Sequence, residues 1–290
     1  MFEGVTVALV TPFSKGNVDY AKIEELVEWH IKQGTDCLLP CGTTGESPTL
    51  SHEEHEKVID TVIKAARGRV KVLAGTGSNS TSEALRLTKH AAAAGADGAL
   101  LITPYYNKPT QEGLYRHFRA VAEAVDIPLV LYNVPSRTGV SIAPETVARL
   151  AELKNIVGIK EATGSIDQSS SIIELCNVTV LSGDDSLTLP IMAVGGKGII
   201  SVVANIVPAD LKAMVAAYNR GDVAGAQKTH MKLFPLCRAM FFETNPIPVK
   251  TAMRMLGMIN GEMRLPMCDM SQANEAKLEK AMKAYGLLKK

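Results

Sequence analysis

The sequence lacks the features that would point to nucleic acid, a membrane or a disulfide framework. Its 31 basic and 30 acidic residues leave a net charge of +1, which gives no reason to expect a polyanionic partner. No apolar run approaches the ~20 residues that span a bilayer. The first residues lack a signal-peptide pattern, and the five cysteines lack disulfide or zinc spacing. We therefore expect a cytoplasmic protein with reduced thiols and no membrane or nucleic-acid partner.

Motifs for nucleotide and metal chemistry are missing as well. Neither GxGxxG nor GxxxxGK[ST] occurs, which counts against an open doubly wound sheet. His52 and His55 flank two glutamates, but they lie three residues apart, and the HExxH zinc helix requires four. Ser51 and Glu54 instead predict a capping box at a helix start. No metal site is expected.

Short apolar runs alternate with amphipathic helical stretches through the first 220 residues. This alternation predicts parallel strands joined by right-handed crossovers, and eight such units fit an α/β fold of the (β/α)8 TIM-barrel type. Residues 221–290 show helical patterns alone and predict a C-terminal helical region, in which Pro235 is expected to interrupt a helix. The eight apolar runs are 5–10, 37–41, 70–75, 98–103, 127–133, 156–160, 178–183 and 198–203.

Lys160 ends one of these apolar runs, where a barrel places its active site. A lysine amine among apolar neighbours favours its neutral form, which is the nucleophile that attacks a carbonyl group. Tyr132 and Thr43, at other strand ends, supply hydroxyl groups for proton transfer, and Arg137 supplies a two-pronged carboxylate contact. The pattern predicts Schiff-base catalysis without a cofactor. A non-catalytic barrel that binds a small molecule is the alternative.

Several segments together resemble the dihydrodipicolinate synthase (4-hydroxy-tetrahydrodipicolinate synthase) family of pyruvate-dependent class I aldolases. The similarity runs from "GVTVALVTPF" to "RLPM", nearly the whole chain, and its motifs are "GTTGES", "TPYYNKPTQEGLY", "LYNVPSRTG", "GIKEATG", "LSGDD" and "NPIPVK". It implies a lyase that condenses pyruvate with L-aspartate 4-semialdehyde, the first committed step toward diaminopimelate and lysine. A sialic acid or 2-keto-3-deoxygluconate lyase is the alternative, although Arg137 favours the short aldehyde that carries a carboxylate.

The resemblance also implies roles for individual residues. Lys160 forms the Schiff base with pyruvate, and hydroxyl groups of Tyr132, Thr43 and Tyr106 relay protons. Tyr106 is expected to reach the site of a neighbouring subunit, which implies a homotetramer built as a dimer of dimers. The residues implied in substrate binding are Thr44 for the pyruvate carboxylate, Arg137 for the semialdehyde carboxylate, and Ile200, Gly183 and Asp184.

An allosteric lysine pocket at the dimer interface is implied by a further set of residues. In it Glu83 would hold the ammonium group of lysine, and hydroxyl and amide groups its carboxylate. Pro48 departs from the pattern of lysine-inhibited members, because proline offers no backbone N–H. We expect feedback inhibition by lysine all the same, through Ser47, His52, His55, Asn79, Glu83 and Tyr105.

Overall fold

Eight parallel strands close into a barrel in the computed structural model, which describes residues 1–289. Each predicted apolar run overlaps one of the eight strands, so the barrel prediction is confirmed. A short antiparallel hairpin after the first strand was not predicted. The strands are β1 (Gly4–Ala8), the hairpin strands β2 (Phe13–Ser14) and β3 (Asn17–Val18), and then β4 (Cys37–Leu39), β5 (Lys71–Gly75), β6 (Gly98–Ile102), β7 (Leu129–Asn133), β8 (Ile156–Glu161), β9 (Thr179–Ser182) and β10 (Gly198–Ser201).

Helices connect the strands and cover the outside of the barrel. They are α1 (Tyr20–Lys32), α2 (His52–Ala66), α3 (Thr81–Ala94), α4 (Gln111–Ala124), α5 (Pro135–Thr138), α6 (Pro144–Ala151), α7 (Ile166–Leu175), α8 (Thr188–Ala193), α9 (Pro208–Asn219), α10 (Val223–Ala239), α11 (Ile247–Met255) and α12 (Gln272–Tyr285). The predicted capping box is present, since the Ser51 side chain accepts from the backbone of Glu54 and the Glu54 side chain accepts from that of Ser51.

The expectation that Pro235 interrupts a helix is wrong. Helix α10 runs through this residue without a break, although proline removes one backbone hydrogen bond. Leu233, Leu236 and Cys237 are buried on the same helix, which packs against α9. Burial of this apolar face holds the helix together across the missing hydrogen bond.

Successive residues of a strand alternate between the inside of the barrel and the helices outside it. Leu129 and Leu131 of β7 pack outward against the helices, whereas Val130 and Tyr132 belong to the apolar cluster inside the barrel. On β8, Ile159 packs outward. Because neighbouring residues of a strand point to opposite faces, Lys160 projects into the barrel. The fold therefore turns this amine toward the interior.

The C-terminal helices pack on the barrel that precedes them. Helix α10 lies against α9, and α12 lies against both α10 and α11. The division of the chain into 1–220 and 221–290 stays a prediction, and its last residue, Lys290, lies outside the described residues. Among the helices of residues 1–289, none is long and apolar enough to cross a membrane.

Candidate active site

Lys160 and Tyr132 form the centre of the candidate site. They lie directly opposite one another on the neighbouring strands β8 and β7. The Lys160 Nζ atom is 4.2 Å from the centre of the Tyr132 ring, and the lysine side chain is only 5% exposed. The amine thus lies against the phenol ring, inside the barrel near its carboxyl end, and Tyr132 but not Lys160 lines the cavity beside it.

The neighbouring carboxylate of Glu161 belongs to a different network. Its two oxygens accept hydrogen bonds from Asn133 Nδ2 at 3.1 Å and from the backbone N–H of Thr163 at 2.8 Å. Burial raises the pKa of Glu161. No hydrogen bond or ion pair joins this carboxylate to Lys160 among the described residues, so the amine is available to a substrate.

A cavity of about 390 Å³ opens beside Tyr132. It brings together residues predicted for catalysis, substrate binding and lysine binding, which come from strand β7, from helices α2, α3 and α5, and from loops. The predicted residues that line it are Thr43, Tyr132 and Arg137 of the catalytic and substrate-binding set and Ser47, His52, His55, Glu83 and Tyr105 of the lysine-binding set. The two predicted sites therefore share one continuous space.

Asn245 joins the two predicted carboxylate-binding residues. Its Nδ2 donates to Thr44 Oγ1 at 3.0 Å, and its backbone carbonyl accepts from Arg137 Nη2 at 3.1 Å. Asn245 is buried and lines the cavity. Sequence reasoning missed this residue, although "NPIPVK" places a polar side chain immediately before a proline-rich helix start.

The loop after β9 brings two carboxylates toward Lys160. Burial raises the pKa of Asp184, and the positive charge of Lys160 opposes that rise. Asp185, which sequence reasoning did not assign, is fully buried and accepts from the backbone N–H groups of Val202 at 3.1 Å and Val203 at 3.2 Å. Burial raises the pKa of Asp185 to about 6. The second acid of "LSGDD" was the available signal.

Gly183 immediately follows β9, and Ile200 lies on β10. Gly183 donates its N–H to the Glu161 carbonyl at 2.7 Å, and a Cβ atom there would come within 2.5 Å of the Cβ atom of Ala162. Any side chain at this position would therefore force the loop away from β8. Ile200 is fully buried in the cluster inside the barrel.

The predicted lysine-binding residues surround the Glu83 carboxylate. Ser78 Oγ donates to Glu83, and His52 Nε2 lies 2.6 Å from its Oε1 atom. These contacts lower the pKa of Glu83, the Ser78 hydrogen bond most, so the carboxylate is held in its charged form. Pro48 lines the cavity within the single turn Ser47–Thr49.

The remaining members of this set differ in their surroundings. Burial lowers the pKa of His55 to about 4, so its ring is neutral at neutral pH. The Asn79 carbonyl accepts from Asn107 Nδ2 at 2.9 Å, which ties it to the loop that carries Tyr105 and Tyr106. Within residues 1–289, no group of three or more His, Cys, Asp or Glu side chains is arranged to hold a metal.

Tyr106 stands apart from the other predicted catalytic residues. Its side chain is 90% exposed, and its backbone adopts the left-handed conformation at φ +71°, which is uncommon for a residue with a bulky side chain. In this single chain it does not line the cavity that contains Thr43 and Tyr132. Its predicted role requires a second subunit.

Comparison with known proteins agrees with this architecture. A family model described as the dihydrodipicolinate synthetase family matches residues 1–285. The chain belongs to this family. Among its relatives, the 4-hydroxy-tetrahydrodipicolinate synthase of Thermodesulfovibrio yellowstonii is 58% identical over 291 residues, which cover 100% of both chains.

Two similar solved structures contain ligands. The dihydrodipicolinate synthase of Acinetobacter baumannii, complexed with pyruvate, is 47% identical with a TM-score of 0.97 over 99% of this chain and 100% of that one. The enzyme of Cyanidioschyzon merolae, with lysine bound, is 42% identical with a TM-score of 0.97 over 99% of both chains. The family prediction and the enzyme class, a lyase of the class I aldolase type, are confirmed, and the sister aldolases are not favoured. The roles of individual residues stay predictions.

Proposed function

We propose that this chain condenses pyruvate with L-aspartate 4-semialdehyde to give 4-hydroxy-tetrahydrodipicolinate, the first committed step of diaminopimelate and lysine biosynthesis. The observation that carries the proposal is the buried Lys160 amine facing the Tyr132 ring at 4.2 Å. Relatives of this chain bear the name of that enzyme, and one of them is complexed with pyruvate.

Lys160 begins the reaction as the nucleophile. Its free amine attacks the keto carbon of pyruvate, water leaves, and the resulting iminium draws electrons from the adjacent methyl group. Loss of a methyl proton gives an enamine, whose carbon attacks the aldehyde carbon of the second substrate. The amino group of that adduct then displaces Lys160 and closes the ring. The covalent Schiff base is the electron sink, so the scheme uses no metal or organic cofactor.

Hydroxyl groups carry the protons in this scheme. Tyr132 lies against the amine, and Thr43 lines the same cavity. Tyr106 of a second subunit completes the relay. Thr44 binds the pyruvate carboxylate, Arg137 binds the semialdehyde carboxylate, and Asn245 fixes the distance between them. Ile200, Gly183 and Asp184 form the remaining wall of the substrate site.

Lysine regulates the enzyme by binding in the same cavity. The charged Glu83 carboxylate binds the ammonium group of the effector, among Ser47, His52, His55, Asn79 and Tyr105. The support is the shared cavity and the lysine-bound relative from Cyanidioschyzon merolae. Pro48 cannot donate a backbone hydrogen bond to the lysine carboxylate, so binding relies on side chains.

The active assembly is a homotetramer, a dimer of dimers. The exposed Tyr106 supplies its hydroxyl group to the partner within one dimer. A second surface suited to self-association carries the exposed apolar side chains Met231, Phe234, Phe241 and Phe242. The protein works in the cytoplasm, which accords with five cysteines that form no disulfide.

Trapping with borohydride tests the central step. Pyruvate and sodium borohydride should leave a reduced covalent adduct on Lys160, located by peptide mass spectrometry, and the untreated enzyme should turn over pyruvate with the semialdehyde. The Lys160→Arg variant should do neither, whereas Lys154→Arg, at an exposed lysine, should do both. A wild-type protein without adduct and without turnover would rule out the proposal.

A further inference from the structure

A buried ion pair outside the reaction scheme joins Lys250 to Glu46, a residue that lines the cavity of the candidate site. Lys250 Nζ is 2.5 Å from Glu46 Oε1 and donates to the Thr11 carbonyl at 3.0 Å. The same ammonium group lies 4.4 Å from the centre of the Phe13 ring. Both charged side chains are withdrawn from solvent, with 0% and 1% of their surface exposed. Burying two charges is costly, so the pair requires a physical account.

Glu46 ends the turn that presents the two predicted threonines to substrate. It follows Thr44 by two residues and adopts the left-handed backbone conformation at φ +53°, a strained state for glutamate. Its second oxygen accepts from the backbone N–H of Arg264 at 3.2 Å. The carbonyl of Gly45 accepts from Thr11 Oγ1 at 2.7 Å. The turn is therefore held at its end by groups from distant parts of the chain.

Lys250 belongs to the same helical turn that positions Asn245. Its backbone N–H donates to the Pro246 carbonyl at 3.0 Å, in the first turn of α11. Asn245, immediately before that turn, donates to Thr44 Oγ1. The start of α11 thus contacts the threonine turn twice, once at Thr44 and once at Glu46. Two contacts from one rigid helix fix both the place and the orientation of the turn.

We propose that Glu46 and Lys250 are positioning residues that set Thr43 and Thr44 for pyruvate, an inference that rests on the proposed function. A buried ion pair gives no more net stability than a packed apolar pair of equal volume. Its charge-assisted hydrogen bond nevertheless fixes distance and direction. At this position the ion pair fixes the turn that carries Thr43 and Thr44, and through them the place of the substrate. Among the described residues, no other ion pair holds this turn.

The test replaces the pair by neutral side chains of similar size. The Glu46→Gln/Lys250→Met double variant avoids leaving one buried charge unpaired. Asp36→Asn/Lys212→Met is the control, because Asp36 lies just before β4, at the amino end of the barrel, and pairs there with Lys212 of α9. The readouts are the pyruvate concentration that half-saturates borohydride trapping, kcat, and the KM for each substrate, after thermal unfolding has shown that each variant folds.

In Glu46→Gln/Lys250→Met, we expect the pyruvate concentration that half-saturates borohydride trapping to rise about tenfold. The KM of the semialdehyde should change less. The control variant should match the wild type. A folded variant with wild-type half-saturation would overturn the inference, as would an equal rise in the control.

A second variant covers failure of the double variant to fold. Glu46→Asp keeps the charge but withdraws the carboxylate by one methylene, and it should show the same selective rise for pyruvate. Wild-type values in folded Glu46→Asp would likewise overturn the inference. Absence of trapping in the wild type would instead remove the proposed function, and this inference with it.

Discussion

The amine of Lys160 and the phenol ring of Tyr132 face each other across two neighbouring parallel strands, with Nζ 4.2 Å from the ring centre. Strand register places the two residues side by side, and the pleat turns both into the barrel. The ring of the proposed proton-relay residue thus lies beside the atom that would form the covalent bond to substrate. This relationship makes the role of the phenol directly testable.

Removing the Tyr132 hydroxyl group should slow catalysis while leaving the nucleophile in place. We expect Tyr132→Phe to lower kcat by about 10²–10³-fold, the usual contribution of a positioned proton-transfer group. Steady-state kinetics of the condensation measures this loss. Tyr115→Phe is the control, since that tyrosine lies on α4 under the Arg149 guanidinium. A Tyr132→Phe enzyme with wild-type kcat would exclude the proton relay.

Loss of the Arg137 guanidinium should weaken binding of the second substrate selectively. Arg137→Ala removes a charge-assisted contact worth about 2–3 kcal/mol, so the KM of the semialdehyde should rise about 30–150-fold. The pyruvate concentration that half-saturates borohydride trapping should stay within a factor of two or so. Arg149→Ala, which breaks a surface ion pair with Glu112, is the control. Unchanged KM for the semialdehyde would favour a sister aldolase.

Sharing of Tyr106 between subunits predicts complementation between two impaired variants. Tyr106→Phe and Lys160→Ala should each have little activity alone. In a mixed dimer, one of the two sites combines an intact Lys160 with an intact Tyr106. After unfolding and refolding as an equal mixture, activity should reach about a quarter of the wild-type value by random pairing. No gain over the separate variants would show that Tyr106 does not act across the interface.

Lysine inhibition should depend on the Glu83 carboxylate. We expect millimolar lysine to inhibit the wild-type enzyme, and Glu83→Gln to need about 10–100-fold more lysine, because it loses a charge-assisted contact with the ammonium group. Each variant is compared with its own rate without lysine. Glu56→Gln, at the acid that pairs with Arg86, is the control. Wild-type activity that millimolar lysine leaves unchanged would contradict the regulatory proposal. The first explanation to test would then be the backbone N–H that Pro48 lacks.

The buried His30 should make the fold sensitive to acid. Burial lowers its pKa from 6.5 to about 3, so below pH 6.5 the unfolded chain binds a proton that the folded chain does not. The free energy of unfolding therefore falls as the pH drops, by about 2 kcal/mol between pH 7 and pH 5 from this group.

Urea unfolding of the wild type and of His30→Gln at both pH values measures this contribution. The variant should lose about 2 kcal/mol less than the wild type between pH 7 and pH 5. Asp185 acts in the opposite direction, because its raised pKa makes the folded chain bind a proton, but both proteins contain it. Equal pH dependence in the two proteins would show that His30 does not titrate in this way.

The sequence by itself determined the strand–helix alternation and which polar side chains stand near the strand ends. Period-two and period-3.6 patterns depend on which residues are apolar, so eight strands and the position of Lys160 at the end of β8 followed directly. Helix start signals such as Ser51 with Glu54 are equally local. Pro235 failed as a local signal, because packing of α10 on α9 outweighs one lost hydrogen bond.

Only the tertiary structure decided which distant residues meet. Asn245 lies 201 residues after Thr44 in the chain, and Lys250 lies 204 after Glu46, yet both pairs are in contact beneath one turn. No local pattern encodes such a pairing, because it depends on how α11 packs over the closed barrel. The contacts of Tyr106 depend on subunit assembly as well as on the fold of one chain. Its side chain is exposed in the single chain and can acquire contacts only from another subunit.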